Sequence, residues 1–240
     1  MTIGNPTARH EDVAFLRGMG CYTSDLEATN AVHMVILRSS EAAGRITALD
    51  VSDARAWPGV VLVATAEDLE GMADIAPRLV HPGPDGAEMR IPPFPLLTHG
   101  DVVYVGDPVA IVLAETATAA QDALECILLD IEPLTPVIGL DQAILGDTRV
   151  WTQFEDNCCF HVDRGNSDAV QSAINGAAHV VHQRLDISRV TAVSLEPRAL
   201  RVRYDGALGL WRLDCGTQAP HRVAMDLAPL LGVTADKIRV

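Results

Sequence analysis

Residues 102–128 read VVYVGDPVAIVLAETATAAQDALECIL, and the spacing of their apolar side chains decides the fold class. Val102 to Val105 and Val109 to Ala114 are β-branched, apolar runs suited to strands. Gly106-Asp107-Pro108 joins them and is too short for a parallel crossover, so a tight turn or one bent strand is expected. The period then changes. From Thr116 to Thr118 onward, Ala120, Ala123, Leu124, Ile127 and Leu128 fall on one helical stripe that would face a sheet. Glu132-Pro133 and Thr135-Pro136 close the element. Strands alternating with helices on one sheet describe an α+β module.

Upstream, Val32 to Leu37 reads as a buried strand and Val60 to Ala64 as a central one. Ser52 to Trp57 predicts a short helix capped by Ser52 and stopped by Pro58-Gly59. Glu67 to Leu69 allows one helical turn, and the Pro/Gly-rich stretch Arg78 to Pro95 is a surface loop. Downstream, Pro133 to Asp147 is the best boundary, giving domains 1–140 and 141–240. Beyond it, Ser167 caps a helix reaching about Ala178, and His179 to Ile187 reads as a strand. Leu200 to Tyr204 and Leu208 to Leu213 frame Asp205-Gly206, a hairpin signal. Pro220 suits the first position of a helix with Val223, Leu227, Leu230 and Leu231 on its stripe, ended by Gly232. Lys237 to Val240 then begins a strand, whose edge another chain would have to cover.

Eighteen basic against thirty-two acidic residues leave a net charge of −14. No basic footprint exists to release counterions from nucleic acid or to dock on anionic lipid. The polar residues Met1 to Asp12 lack a signal-peptide core, and no stretch is long enough to span a bilayer. Cys21, Cys126, Cys158, Cys159 and Cys215 include no C-x-x-C pair, so reduced thiols and a cytoplasmic location are expected. Cys158-Cys159 near His161 has the wrong spacing for a tetrahedral metal site and no positioned base for a nucleophile. The histidines are scattered, and His179 and His182 would face opposite sides of a strand. No metal ligand or catalytic residue is assigned.

Gly216-Thr217-Gln218-Ala219-Pro220-His221 lies where a strand ends and a helix begins. Free N–H groups and the positive dipole end favour oxyanions there, and the Gln218 amide could donate to an oxo or phosphate oxygen. An ordinary capping loop is the plainer alternative.

Several ordered stretches carry a family resemblance. Arg9-His10-Glu11-Asp12, Leu16-Arg17-Gly18 and Tyr22-Thr23-Ser24-Asp25-Leu26 resemble the opening of molybdenum-hydroxylase large subunits. Ala56-Trp57-Pro58-Gly59-Val60-Val61 through Asp68-Leu69, and Val105 to Ala110 through Asp130 to Leu134, resemble their first α/β module. Leu195-Glu196-Pro197-Arg198 and Thr217 to Arg222 look like their first molybdenum-binding segment. The sequence thus resembles the xanthine dehydrogenase, aldehyde oxidase and carbon monoxide dehydrogenase family over nearly its whole length.

The resemblance implies an α/β hammerhead domain followed by the start of the first molybdopterin-binding domain. It implies a molybdopterin-type molybdenum cofactor, held with a complementary chain and not by this chain alone. Gln218 matches the family glutamine beside the metal's apical oxo ligand. The implied activity is hydroxylation of an aldehyde, purine, N-heterocycle or similar substrate with water-derived oxygen. The implied partners are the remainder of the molybdenum subunit, an iron–sulfur subunit and an FAD subunit, with no nucleic acid or membrane. Ser39-Ser40-Glu41-Ala42-Ala43-Gly44-Arg45-Ile46 departs from the commoner R-S-P-H-A-H-A-R-I. The glycine-rich G-G-G-F-G segment and the family's catalytic glutamate are not in this sequence. A non-catalytic assembly module that kept the fold is the alternative, and a cysteine hydrolase a third.

Overall fold

The computed structural model describes Gly4 and residues 8–83, 86–194 and 196–240. Met1 to Ile3, Asn5 to Thr7, Pro84, Asp85 and Leu195 fall within the amino-terminal, loop and Leu195–Arg198 readings and lie outside the described residues. The chain divides into two compact units, Val32–Thr191 and Met1–Ala31 with Ala192–Val240.

The Val32–Thr191 unit contains two antiparallel three-stranded sheets. In the first, β5 (Pro108–Ala114) lies between β1 (His33–Arg38) and β3 (Val60–Thr65). Val35, Val112 and Val63 are in register across it. Their face meets α3 (Ala117–Glu125) and α2 (Ser52–Ala56), where Val63, Val112, Ala54 and Ala123 are at most 2% exposed. Alanines at the contact let the helices approach closely, and each buried valine contributes about 1.5–3 kcal/mol relative to exposure. In the second sheet β2 (Gly44–Asp50) lies between β4 (Asp101–Val102) and β6 (Leu128–Pro133). The exposed α4 (Leu140–Leu145) and α5 (Ser167–Asn175) complete the unit's helices among the described residues.

Several expectations are corrected. Val60–Thr65 is an edge strand, because β5 takes the centre. Val35 to Leu37 are only half-buried, since β1 is the other edge. β4 and β5 belong to different sheets, so Gly106-Asp107-Pro108 is neither a hairpin turn nor the bend of one strand. Gly106, at φ 93°, turns the chain from one sheet to the other. Helix α3 ends at Glu125, and Leu128 opens β6, because pairing with β2 outweighs the helical period there. Val51, not Ser52, is the cap of α2, and the Asp50 carboxylate accepts from the Ser52 N–H at 2.9 Å. Asn166, not Ser167, caps α5 by accepting from the Ala169 N–H at 2.9 Å. His179 to Ile187 forms no strand; its residues are exposed and no neighbouring strand pairs with them among the described residues.

In the other unit, α1 (Asp12–Leu16) precedes a sheet of β7 (Leu200–Asp205), β8 (Leu210–Cys215) and β9 (Ile238–Arg239). β7 and β8 form the expected hairpin, closing at Asp205 opposite Leu210. α6 (Pro220–Leu230) carries the chain from β8 to β9, which is parallel to it. Pro220 occupies its first turn, while Ala224 and Ala228, both 7% exposed, form the most buried line of the helix beside Leu227. Gly232, at φ 63°, ends it, with Val233 N–H donating to Ala228 O and Gly232 N–H to Pro229 O.

Candidate cofactor-facing junction

β8 brings the chain to Cys215, and α6 starts at Pro220, so Gly216 to Ala219 form a four-residue bridge between a fixed strand and a fixed helix. Thr217 Oγ1 accepts from the Ala219 N–H at 3.1 Å and shapes the bridge. Pro220 has no N–H to give, and the N–H groups of Arg222 and Val223 already turn back to Ala219 O. The N–H of His221 has no acceptor among the described residues, so the positive end of an eleven-residue helix is open.

Gln218 stands exposed in this bridge, and its amide has no hydrogen-bond partner among the described residues. The amide can donate and accept at once, beside a helix end that favours negative charge. Below it, Gly216 passes over Glu196: a Cβ there would come 3.7 Å from Glu196 Oε2. Glu196 Oε1 accepts from the Thr23 N–H at 3.3 Å, which ties the Tyr22–Leu26 segment to the junction. Tyr22, Thr23, Cys215, Thr217 and Pro220 line an open groove of about 350 Å³. Local sequence thus placed Gln218 at the junction, while Glu196 and Thr23 as its underpinning could not be found locally, being 173 positions apart.

The other candidates are not assembled. Cys158 Sγ donates to Phe160 O at 3.4 Å, and burial, then the neighbouring Cys158, pushes the Cys159 thiol up, away from thiolate chemistry. His161 Nε2 meets Asp163 Oδ2 at 3.0 Å and serves neither cysteine. A larger cavity of about 720 Å³ in the Val32–Thr191 unit is lined by Met72, Phe94, Tyr104, Trp151 and Asp107 among others. Its buried carboxylate, Asp107, is already engaged, accepting from the Thr98 hydroxyl and the Val103 N–H. No helix among the described residues is long and apolar enough to cross a membrane.

The family model for the aldehyde oxidase and xanthine dehydrogenase a/b hammerhead domain matches residues 17–135, and that for the molybdopterin cofactor-binding domain matches 150–240. The chain is 33% identical over 239 residues to the nicotine 6-hydroxylase large subunit of Paenarthrobacter nicotinovorans, covering 99% of this chain and 29% of that protein. It is 30% identical over 251 residues to the 6-hydroxypseudooxynicotine dehydrogenase complex subunit gamma of the same organism, covering 99% of this chain and 30% of that one. Among solved structures it is similar to quinoline 2-oxidoreductase from Pseudomonas putida 86, with a TM-score of 0.83 and 29% identity over 98% of this chain and 29% of that chain. The chain therefore spans about three-tenths of the length of these two curated relatives. Both curated relatives are named as subunits of larger assemblies. The chain belongs to the molybdenum hydroxylase family of xanthine dehydrogenase and aldehyde oxidase, and corresponds to the amino-terminal portion of its large, molybdopterin-binding subunit.

Proposed function

We propose that this chain supplies one wall of a molybdopterin-type cofactor site in an oxidoreductase that hydroxylates an aldehyde, purine, N-heterocycle or similar small substrate. The observation that carries this is the exposed Gln218 amide, with no hydrogen-bond partner among the described residues, at the open positive end of α6. These residues fit such a group: Gln218 offers an amide N–H to an oxygen ligand, and the α6 terminus stabilises negative charge nearby. When bound, the cofactor supplies two-electron redox chemistry with water-derived oxygen. The chain's part is orientation and electrostatics. Thr217 and Glu196 hold the bridge that presents Gln218.

The rest of the site comes from the remainder of the molybdenum subunit, and the electrons leave through iron–sulfur and FAD subunits. The division into domains 1–140 and 141–240 is supported by the gap between the two family-model matches, 17–135 and 150–240. The five free thiols support a cytoplasmic setting.

The test is Gln218→Ala in the complex that contains the whole molybdenum subunit, reading molybdenum content and turnover separately. Loss of one preorganised donor is expected to lower turnover about 10²-fold. Molybdenum should be found with the complex and not with the isolated chain. Undiminished turnover in the variant refutes the role of Gln218. A complex that assembles without molybdenum favours the non-catalytic assembly module.

A further inference from the structure

The β7-β8-β9 sheet has an apolar face and a charged one. Trp211 and Ile238 pack on the α6 side. On the opposite face, the register sets Arg203 of β7 across from Arg212 of β8, and Arg212 across from Arg239 of β9. Residues in register point to the same side, so three guanidinium side chains form a row over three strands. The two carboxylates of this face are already engaged, Asp214 by Arg201 at 2.7 Å and Asp205 by Arg212 at 3.4 Å. Arg203 and Arg239 are exposed, and among the described residues neither meets a carboxylate. Arg212 Nε is buried and has no acceptor among the described residues.

This arrangement costs stability. Like charges directly opposite one another in a sheet repel, and a buried donor without an acceptor has lost its water for nothing. The row also runs against the molecule's average, since the whole chain carries −14. An anion laid on the row relieves the repulsion between the guanidinium groups.

We propose that Arg203, Arg212 and Arg239 form a docking face for an acidic segment of a partner polypeptide. A guanidinium presents a planar fork that matches a carboxylate. Arg203 and Arg239 arise from the strands on either side of β8, about 10 Å apart at the backbone. That span suits two carboxylates of one segment better than a single small oxyanion. The net charge of −14 opposes a long polyanion such as nucleic acid while leaving local carboxylate docking intact. None of this depends on the role of Gln218.

The test uses the full chain and a labelled octapeptide of alternating glutamate and serine, read by fluorescence anisotropy at about 20 mM salt, where surface charge is weakly screened. Saturable binding is expected, with none for the glutamine counterpart. The double variant Arg203→Gln/Arg239→Gln should weaken it at least ~5-fold. Arg203→Lys/Arg239→Lys, which keeps charge but loses the forks, should weaken it less. Arg17→Gln/Arg189→Gln removes the same charge from elsewhere and should leave binding unchanged. The first double variant should melt at or above the wild-type temperature at low salt, so its loss of binding reports the face and not unfolding. The proposal is overturned by absent saturation, by an equal loss in the Arg17/Arg189 control, or by displacement of the peptide by equimolar inorganic phosphate or oligonucleotide.

Discussion

Asp107 joins two sheets that share no strand, and Asp107→Ala is expected to destabilise the Val32–Thr191 unit more than any surface change. Its Oδ1 accepts from Thr98 Oγ1 at 2.6 Å and its Oδ2 from the Val103 N–H at 3.1 Å. Its own N–H donates to Tyr104 O at 3.2 Å and its carbonyl accepts from the Ser39 N–H at 2.8 Å. Asp107 is 4% and Thr98 6% exposed, so water cannot replace the lost acceptor at the Thr98 hydroxyl. Each bond to the carboxylate is worth about 1.5 kcal/mol, and losing both costs about 3 kcal/mol. For a unit of this size that corresponds to a drop of roughly 6–12 °C in melting temperature. Asp107→Asn keeps an acceptor for Thr98 but turns an NH₂ toward the Val103 N–H, so about half the loss is expected. Urea unfolding followed by circular dichroism measures these differences. Adding Thr98→Val to Asp107→Ala should cost less than the sum of the two single changes, because they share a bond. A loss below about 1 kcal/mol for Asp107→Ala, or strict additivity in the cycle, refutes the role of Asp107 as the staple between the sheets.

Two further outcomes follow from side chains that sequence pattern does not mark. A Cβ on Gly44 would lie 2.4 Å from Ile131 Cγ2 and 3.0 Å from the Glu132 carbonyl oxygen, so Gly44→Ala must push β2 off β6. We expect a loss of about 1–3 kcal/mol in urea unfolding, and an unchanged midpoint would contradict that packing. The Asp68 carboxyl is held below its ordinary range chiefly by the Thr65 N–H, with the Thr65 hydroxyl and Arg55 helping. Its stabilisation is therefore present above the unfolded carboxylate value of about 3.9 and is lost as pH falls through the lower folded value. Wild type should exceed Asp68→Asn in stability at pH 7 and converge with it in strong acid. A gap that stays constant over that range would assign the difference to packing instead.

Local chemistry in the sequence specified the elements whose stability is local. Thr116 followed by Ala120 and Ala123 on one stripe is enough to place α3, and Thr116 Oγ1 does accept from the Ala119 N–H at 3.1 Å. Asp205-Gly206 and Pro220 likewise marked the β7–β8 hairpin and the start of α6, and so located Gln218. Pairing between distant segments was hidden. Leu128 satisfies a helical stripe as well as a strand, and only its pairing with Asp50 of β2, some eighty residues earlier in the chain, decides for the strand. Val181 and Ile187 have the composition of a strand, yet at 89% and 91% exposure they pair with no strand among the described residues. Composition states what a strand prefers, while its neighbours decide whether one forms.

The arginine row shows the same limit most sharply. Arg203, Arg212 and Arg239 look unrelated along the chain, and an overall charge of −14 argues against any cationic face. They meet because the hairpin closes at Asp205 opposite Leu210, and because Trp211, Leu213 and Ile238 turn their apolar side chains toward α6. A slip of one residue in either pairing would send the arginines into that apolar face and bring the tryptophan out. The apolar side therefore fixes the register, and the register alone brings the guanidinium groups together. Their alignment is a consequence of core packing, while its persistence against like-charge repulsion is what calls for an anionic partner.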